Sequence, residues 1–237
     1  LATGGPSYPQ LGASSFGQEL LQKWGHSVSR LHPALVGFTL MPPERWMCEL
    51  SGLSTPVEIG VDGQKIGGGL LFSHRGITGP AVMNSSLRWR KGKISIDWLP
   101  NFSLKQLFSQ KENRLLSTAL PLPKRLARAL LEAHQIGDRP LSSYSKSEEQ
   151  QLQILKNDLF APAGTFGLSR AEVTRGGVST SEVDPQTMES RLVSNLFIAG
   201  ELLDVTGELG GYNLQWAFST AQVAARAIEE RNRTHLP

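Results

Sequence analysis

The sequence predicts an α/β plus β fold, in which one α/β domain is interrupted by an insertion that is part sheet and part helical. Three observations carry that expectation. The apolar run 195–199 is closed by Gly200 and leads through a glycine-rich loop to a long small-residue helix after Gly210-Gly211. Residues 35–40, 46–50, 57–61 and 93–98 are short alternating apolar segments separated by Pro, Gly or Asp-Gly. A run of helix signatures then fills about 101–158. The expected division is 1–33 and 174–237 as two pieces of one domain, with 34–173 inserted between them.

Each element has a local reason. Leu1 to Gly5 reads as a strand end entering a turn, and Pro6 and Pro9 forbid helix after it. Ser15 precedes a helical pattern of Phe16, Leu20, Leu21 and Trp24 that Gly25 stops, and Gln18 completes the spacing of a capping box. The alternating segments predict antiparallel strands, with Asp62-Gly63 the strongest hairpin turn. Residues 73–80 read as a loop entering a helix, with Thr78 near its N-cap. Ser103 with Gln106, and Ser145 with Glu148, predict two further capped helices. Pro123 suits the first turn of a helix carrying Leu126, Leu130 and Ala133 and closed by Gly137. Residues 195–199 predict a strand buried on both faces. The final helix should bury a stripe of Leu214, Ala217, Phe218, Ala221, Ala225 and Ile228.

Composition narrows the class. At 237 residues, with 39% hydrophobic and 19% charged residues, the chain is globular and has enough length for a sizeable core. The sole cysteine, Cys48, excludes an internal disulfide and is expected to be a small buried hydrophobe. No apolar run approaches the roughly 20 residues of a membrane span, so no membrane partner and a cytoplasmic location are expected. His26 and His32 lack a carboxylate or cysteine at ligand spacing and read as surface or loop residues, so no metal is expected. The net charge of +3 is mild, and its local excess sits in Arg88-Trp89-Arg90-Lys91-Gly92-Lys93. That run reads either as an exposed hairpin turning at Lys91-Gly92 or as a phosphate-contacting patch with an interleaved aromatic.

The run GELLDVTGELGGYNLQWA at 200–217 resembles the C-terminal flavin-binding segment of the YhiN/BaiN-like (aminoacetone oxidase family) flavoproteins. ATGGPSYPQLGASSFG at 2–17, LLFSHRGITGPAVMNSS at 70–86 and AEVTRGGVSTSEVDPQTMESR at 171–191 resemble the same family in the same order. The resemblance implies the C-terminal part of a Rossmann-like FAD-binding domain. The family opens with a G-x-G-x-x-G turn that holds the FAD pyrophosphate, and that run does not occur here. The expectation is therefore a portion of a longer protein, whose missing N-terminal FAD-binding segment is its first partner.

Residue by residue, the resemblance implies that Thr3, Gly4 and Gly5 cross near the dinucleotide. Gly200-Glu201 would present a carboxylate acceptor to the ribityl hydroxyls, with a solvated loop carboxylate as the alternative. Gly210, Gly211, Tyr212 and Asn213 would face the pyrimidine edge of the flavin at a helix N-terminus. Asp204 and Glu208 share that loop, and one of them should point away from a flavin that gains negative charge. Gly176 and Gly177 would let backbone approach the ring. Arg175 either holds an anionic or carbonyl substrate or is an exposed turn residue. His74 is the best single candidate for a proton donor, against the alternative of a loop cap. The activity implied is that of an FAD-dependent oxidoreductase with NAD(P)H as electron donor. The substrate is an amine or an activated C=C bond, either in a small molecule such as an enone or as uracil in RNA. The other function class is a flavin-fold binding module, or a fragment without catalysis of its own.

Overall fold

The computed structural model describes residues 1–109 and 112–234. The chain divides into two compact units, one formed by Leu1–Val36 with the chain from Phe166 on, the other by Gly37–Thr165. The strands in chain order are β1 (His32–Ala34), β2 (Phe38–Thr39), β3 (Ser54–Val61), β4 (Gln64–Ser73), β5 (Gly76–Thr78), β6 (Ile94–Asp97), β7 (Asp158–Phe160), β8 (Gly164–Thr165) and β9 (Val173–Arg175).

In the unit Gly37–Thr165 seven strands form one sheet in the order β7-β6-β3-β4-β5-β2-β8, with every pair antiparallel. The turn at Asp62-Gly63 has positive φ at both residues (49° and 72°), as a two-residue hairpin between right-twisted strands requires. Alternation along β3 sends Thr55, Val57, Ile59 and Val61 to the buried face. The helix Pro80–Arg88 lies on β4, where the glycine run leaves room for it: a Cβ on Gly68 would stand 3.2 Å from the Ala81 nitrogen. Trp98, Phe38, Phe72, Ile59 and Ile96 are fully buried in this core.

Several local expectations change here. Residues 46–50 belong to a 3-10 helix, Pro42–Leu50, rather than a strand. The two prolines set its first turn, and Met47 and Leu50, three apart, are its buried row. Residues 73–76 form a tight connection between β4 and β5, and Gly79 is the N-cap of the helix that follows. The basic run is not a hairpin. Arg88 ends a helix, and the chain bends through Lys91-Gly92 into β6, fixed by the Trp89 indole N–H on the Gly92 carbonyl at 3.0 Å. Ser145 and Glu148 form the complete capping box. Ser103 accepts the Gln106 N–H at 3.3 Å. Lys124–Ala133 ends through Gln135 at φ 56°, two residues before Gly137.

The other unit holds the ladder of β1 with β9, which ties residues 32–34 to 173–175, so its boundary runs beyond 33 and before 174. Its core is Leu21, Val178, Val183, Met188, Ile198, Leu202, Leu203 and Ala224. Helix Phe16–Lys23 forms, but not by a capping box. Ser15 Oγ turns to Glu19, and the Gln18 side chain donates to the Gly4 carbonyl at 2.9 Å. Residues 195–199 form no regular strand. Leu1 hydrogen-bonds Phe197 O and Ala199 N, Ile198 N reaches Met188 O, and Glu189 bridges Phe197. His26 is buried, bonded to Ser190 Oγ at 2.8 Å and Leu21 O at 3.2 Å, and so is a satisfied core residue.

The last helix, Tyr212–Thr234, starts where Gly210-Gly211 predicted, but it buries the opposite face. Thr220 and Ala224 are buried, with Trp216 and Val223 partly so, while Leu214, Phe218 and Ile228 are 67%, 72% and 40% exposed. Both rows keep helical spacing, so periodicity alone could not choose between them. Among the described residues, no helix is long and apolar enough to cross a membrane.

Candidate functional site

Three of the sequence stretches singled out above converge in the first unit. Glu201 follows the buried Gly200, whose φ of 72° bends the chain out of residues 195–199. Its Oε1 accepts the Thr174 N–H, and its Oε2 accepts the Gly5 N–H at 3.4 Å. Ser7 and Thr174 hydroxyls meet at 2.9 Å. A Cβ on Gly5 would stand 2.8 Å from Thr174, so glycine is required there by the protein's own packing. Burial pushes the Glu201 carboxyl up, while the two backbone N–H groups oppose that rise. A carboxylate offers about four acceptor positions. Two are used, so Glu201 keeps capacity for a hydroxyl donor.

The remaining residues have mixed placements. Thr3 is exposed, its hydroxyl against Gly17. Gly176 and Gly177 do make the close approach for which glycine was expected, but to their own chain. A Cβ on Gly176 would be 2.3 Å from the Arg30 carbonyl oxygen, and one on Gly177 would be 2.6 Å from that of Leu202. Arg175 lies in β9 opposite His32. Asp204 accepts the Ser29 hydroxyl at 2.7 Å and borders a polar cavity of about 350 Å3 with Ser27, Ser29, Ser179 and Thr180. Glu208 is exposed. Asn213 folds back on the loop, its amide donating to Gly207 O at 3.0 Å and accepting from Gly207 N at 2.8 Å. Gly210 and Gly211 have φ of 130° and 86°, and nothing stands within 4 Å of a Cβ built on Gly211.

These features fit a flavin. At the helix start the position of a Cβ on Gly211 is open space, and the first N–H groups of a helix have no partner within the helix itself. Gln18 Oε1, in a side chain 2% exposed that is bound to Gly4, is a buried acceptor with no hydrogen-bond partner among the described residues. An orphan of that kind is costly unless a further donor reaches it. Gly4, Gly5, Gln18, Glu201, Gly210, Gly211 and Tyr212 are the residues that would hold the group. Of these, Gln18 was legible in the sequence only as a helix cap, because its link to Gly4 is tertiary.

His74 lies in the other unit, with Arg75 at the tip between β4 and β5. It borders a cavity with Thr39, Leu40, Arg45, Cys48 and Arg75. Cys48 is half-buried, packed against the hydrophobic core of this unit and also bordering the cavity.

Comparison with known proteins identifies the family. A family model described as the HI0933-like protein Rossmann domain matches residues 1–227. A ribosomal RNA dihydrouridine synthase of Haemophilus influenzae is 40% identical over 240 residues, covering 98% of this chain and 60% of the relative. Its namesake in Escherichia coli is 41% identical over 238 residues, covering 96% and 60%. A 3-dehydro-bile acid delta(4,6)-reductase of Clostridium scindens is 32% identical over 255 residues, covering 98% and 62%. The chain thus spans about three fifths of the length of these relatives. With the match running through both units, the chain belongs to the HI0933-like family of FAD-binding Rossmann proteins.

Proposed function

We propose that the complete protein is an FAD-dependent oxidoreductase that reduces an activated C=C bond, with uracil in ribosomal RNA as substrate and NAD(P)H as electron donor, in the cytoplasm. The observation that carries the flavin assignment is the meeting of Gly5, Thr174 and Glu201 in the unit that holds the open, glycine-led start of the last helix. The names of the relatives support reduction, and the two at 40% and 41% identity support RNA. Exposed Arg90, Lys91 and Lys93 supply cations suited to phosphate contact.

Bound FAD supplies hydride exchange at its N5. The chain's own residues have the other tasks. Glu201 accepts from a ribityl hydroxyl, and the first N–H groups of the last helix favour negative charge at the pyrimidine edge. Arg175 holds an anionic or carbonyl group of the substrate, and His74 is the proton donor proposed from the sequence. The additional length of the relatives is assigned the segment that holds the pyrophosphate and covers the exposed Leu214–Phe218 face.

The test uses the complete protein. Its flavin spectrum should bleach with NADPH or NADH, and adding ribosomal RNA should restore it, with the mass of the RNA rising by two hydrogens at the modified uracil. RNA binding should weaken steeply with salt, with a shallower slope when Arg88, Arg90, Lys91 and Lys93 become Ala. Flavin that a reductant bleaches but no RNA reoxidises would overturn the RNA substrate. A protein purified without flavin and unable to take it up would overturn the whole reading.

A further inference from the structure

The 3-10 helix Pro42–Leu50 sorts its charges by face. With three residues per turn, positions three apart stand one above the other. Arg45 and Cys48 form one such row and line a cavity of about 450 Å3 together with Thr39, Leu40, His74 and Arg75. Glu44 and Glu49 line a separate cavity of about 420 Å3, which also contains Glu132, His134 and Asp158. The first cavity is therefore lined by two arginines, a histidine, a threonine and a cysteine beside Leu40, and among the described residues no Asp or Glu lines it.

Its second wall is held by sequence-local constraints. Ser73 and Gly76 pair across the β4–β5 connection, leaving His74 and Arg75 as its two-residue tip. The Arg75 N–H donates to Ser73 Oγ at 3.3 Å. Gly76 has φ 146°, and a Cβ there would stand 2.1 Å from the Phe38 carbonyl oxygen, so β5 lies close against β2. The tip and the 3-10 helix thus set two arginines on the walls of one cavity.

We propose that this cavity is an oxyanion subsite that takes a backbone phosphodiester of the RNA substrate, with Arg45 and Arg75 holding the phosphate oxygens. The proposal rests on the RNA reading above. A guanidinium meets phosphate as a planar fork, and such contacts fix the position and register of a strand without reading its bases. A carboxylate offers the same chemistry, so a small organic acid is the other source that the experiment must separate.

Cys48, the only cysteine of the chain, is a reporter inside the cavity. In the complete flavin-loaded protein, alkylation of the Cys48 peptide is followed by mass spectrometry with anionic iodoacetate and with neutral iodoacetamide. The cationic wall should raise the iodoacetate rate relative to iodoacetamide by about tenfold over a free cysteine peptide. Arg45→Gln with Arg75→Gln should abolish that preference, and the two Lys variants should retain it. A single-stranded uridine-containing oligonucleotide should protect Cys48, and its binding should lose about 0.7, the share of one phosphate, in the slope of log K against log salt in the double Gln variant. Protection by cholate but not by the oligonucleotide would overturn the phosphodiester assignment, as would an unchanged salt slope. These readouts need no turnover. Loss of protection in a protein that still reduces RNA removes the subsite alone, whereas protection without reduction removes the proposed activity alone.

Discussion

Glu201 shows how one side chain joins distant parts of the sequence. It satisfies backbone N–H groups at Gly5 and Thr174, which lie 196 and 27 residues away. Glu201→Gln can accept only one of those bonds, since its NH2 must face the other N–H, and the unsatisfied donor should cost about 1–3 kcal/mol. The sign of the pH dependence follows from the carboxyl being raised by burial. A group raised in the folded state contributes stability below its unfolded value and loses it as pH rises through the folded value. The stability gap between wild type and Glu201→Gln should therefore narrow from pH 4 to pH 7, as denaturant titrations at the two pH values would show. A gap that widened would mean that the N–H donors outweigh burial. At Gly211 the positive φ is the constraint, because space is open. Gly211→Val should strain that turn and fill the helix start, and the flavin-to-protein absorbance ratio of the complete protein should fall, while Gly211→Asn should retain more flavin because Asn tolerates positive φ.

Among elements, the β4–β5 connection and the β3–β4 hairpin make a matched comparison. Gly63 has φ 72° with open space around it, whereas Gly76 has φ 146° with the Phe38 carbonyl directly in the way. Gly63→Ala should cost about 1 kcal/mol from backbone strain alone. Gly76→Ala should cost more, about 2–4 kcal/mol, because β2 must move as well. Thermal unfolding of the two variants checks the order, and equal losses would mean that β2 yields freely. The capping box at Ser145 is a pH-sensitive feature of the same unit. Glu148 is held down to about 2, first by the Ser145 N–H and hydroxyl and then by Arg139. Its contribution is present above the ordinary carboxylate value and should be lost as pH falls through about 2. Ser145→Ala keeps the backbone N–H and removes the hydroxyl, so it should remove part of that pH dependence, measurable as a somewhat flatter acid unfolding curve.

For the molecule as a whole, the exposed face of the last helix is the main departure from expectation. Leu214 and Phe218 project from a helix whose opposite side already packs on Leu202 and Leu203. Apolar area of that size covered by further chain would contribute about 25 cal/mol per Å2. Leu214→Ser with Phe218→Ser should therefore leave the 237-residue chain as stable as before and reduce its self-association in ultracentrifugation. The same pair should destabilise the complete protein and lower its flavin content. Equal effects on both would mean that nothing covers this face. FAD titrated by calorimetry should bind the complete protein much more tightly than the 237-residue chain.

Local chemistry was legible wherever it was sufficient. Asp62-Gly63 specified its turn, Ser145 and Glu148 their cap, and Gly210-Gly211 the start of the last helix, because each depends on conformations available to a few adjacent residues. The flavin-like motifs pointed to the right family for the same reason, since their glycines and carboxylate are read in sequence order. What tertiary structure alone decided is which neighbours those residues meet. Gly176 and Gly177 make room for Arg30 and Leu202, Gln18 reaches Gly4 instead of capping its helix, and Cys48 shares a cavity with His74. Residues 195–199 show the limit most clearly. An apolar run states only that burial is favourable; a strand also needs partners for its N–H and C=O groups on both edges, and here Leu1, Met188, Ser190 and the Glu189 carboxylate supply the few that form.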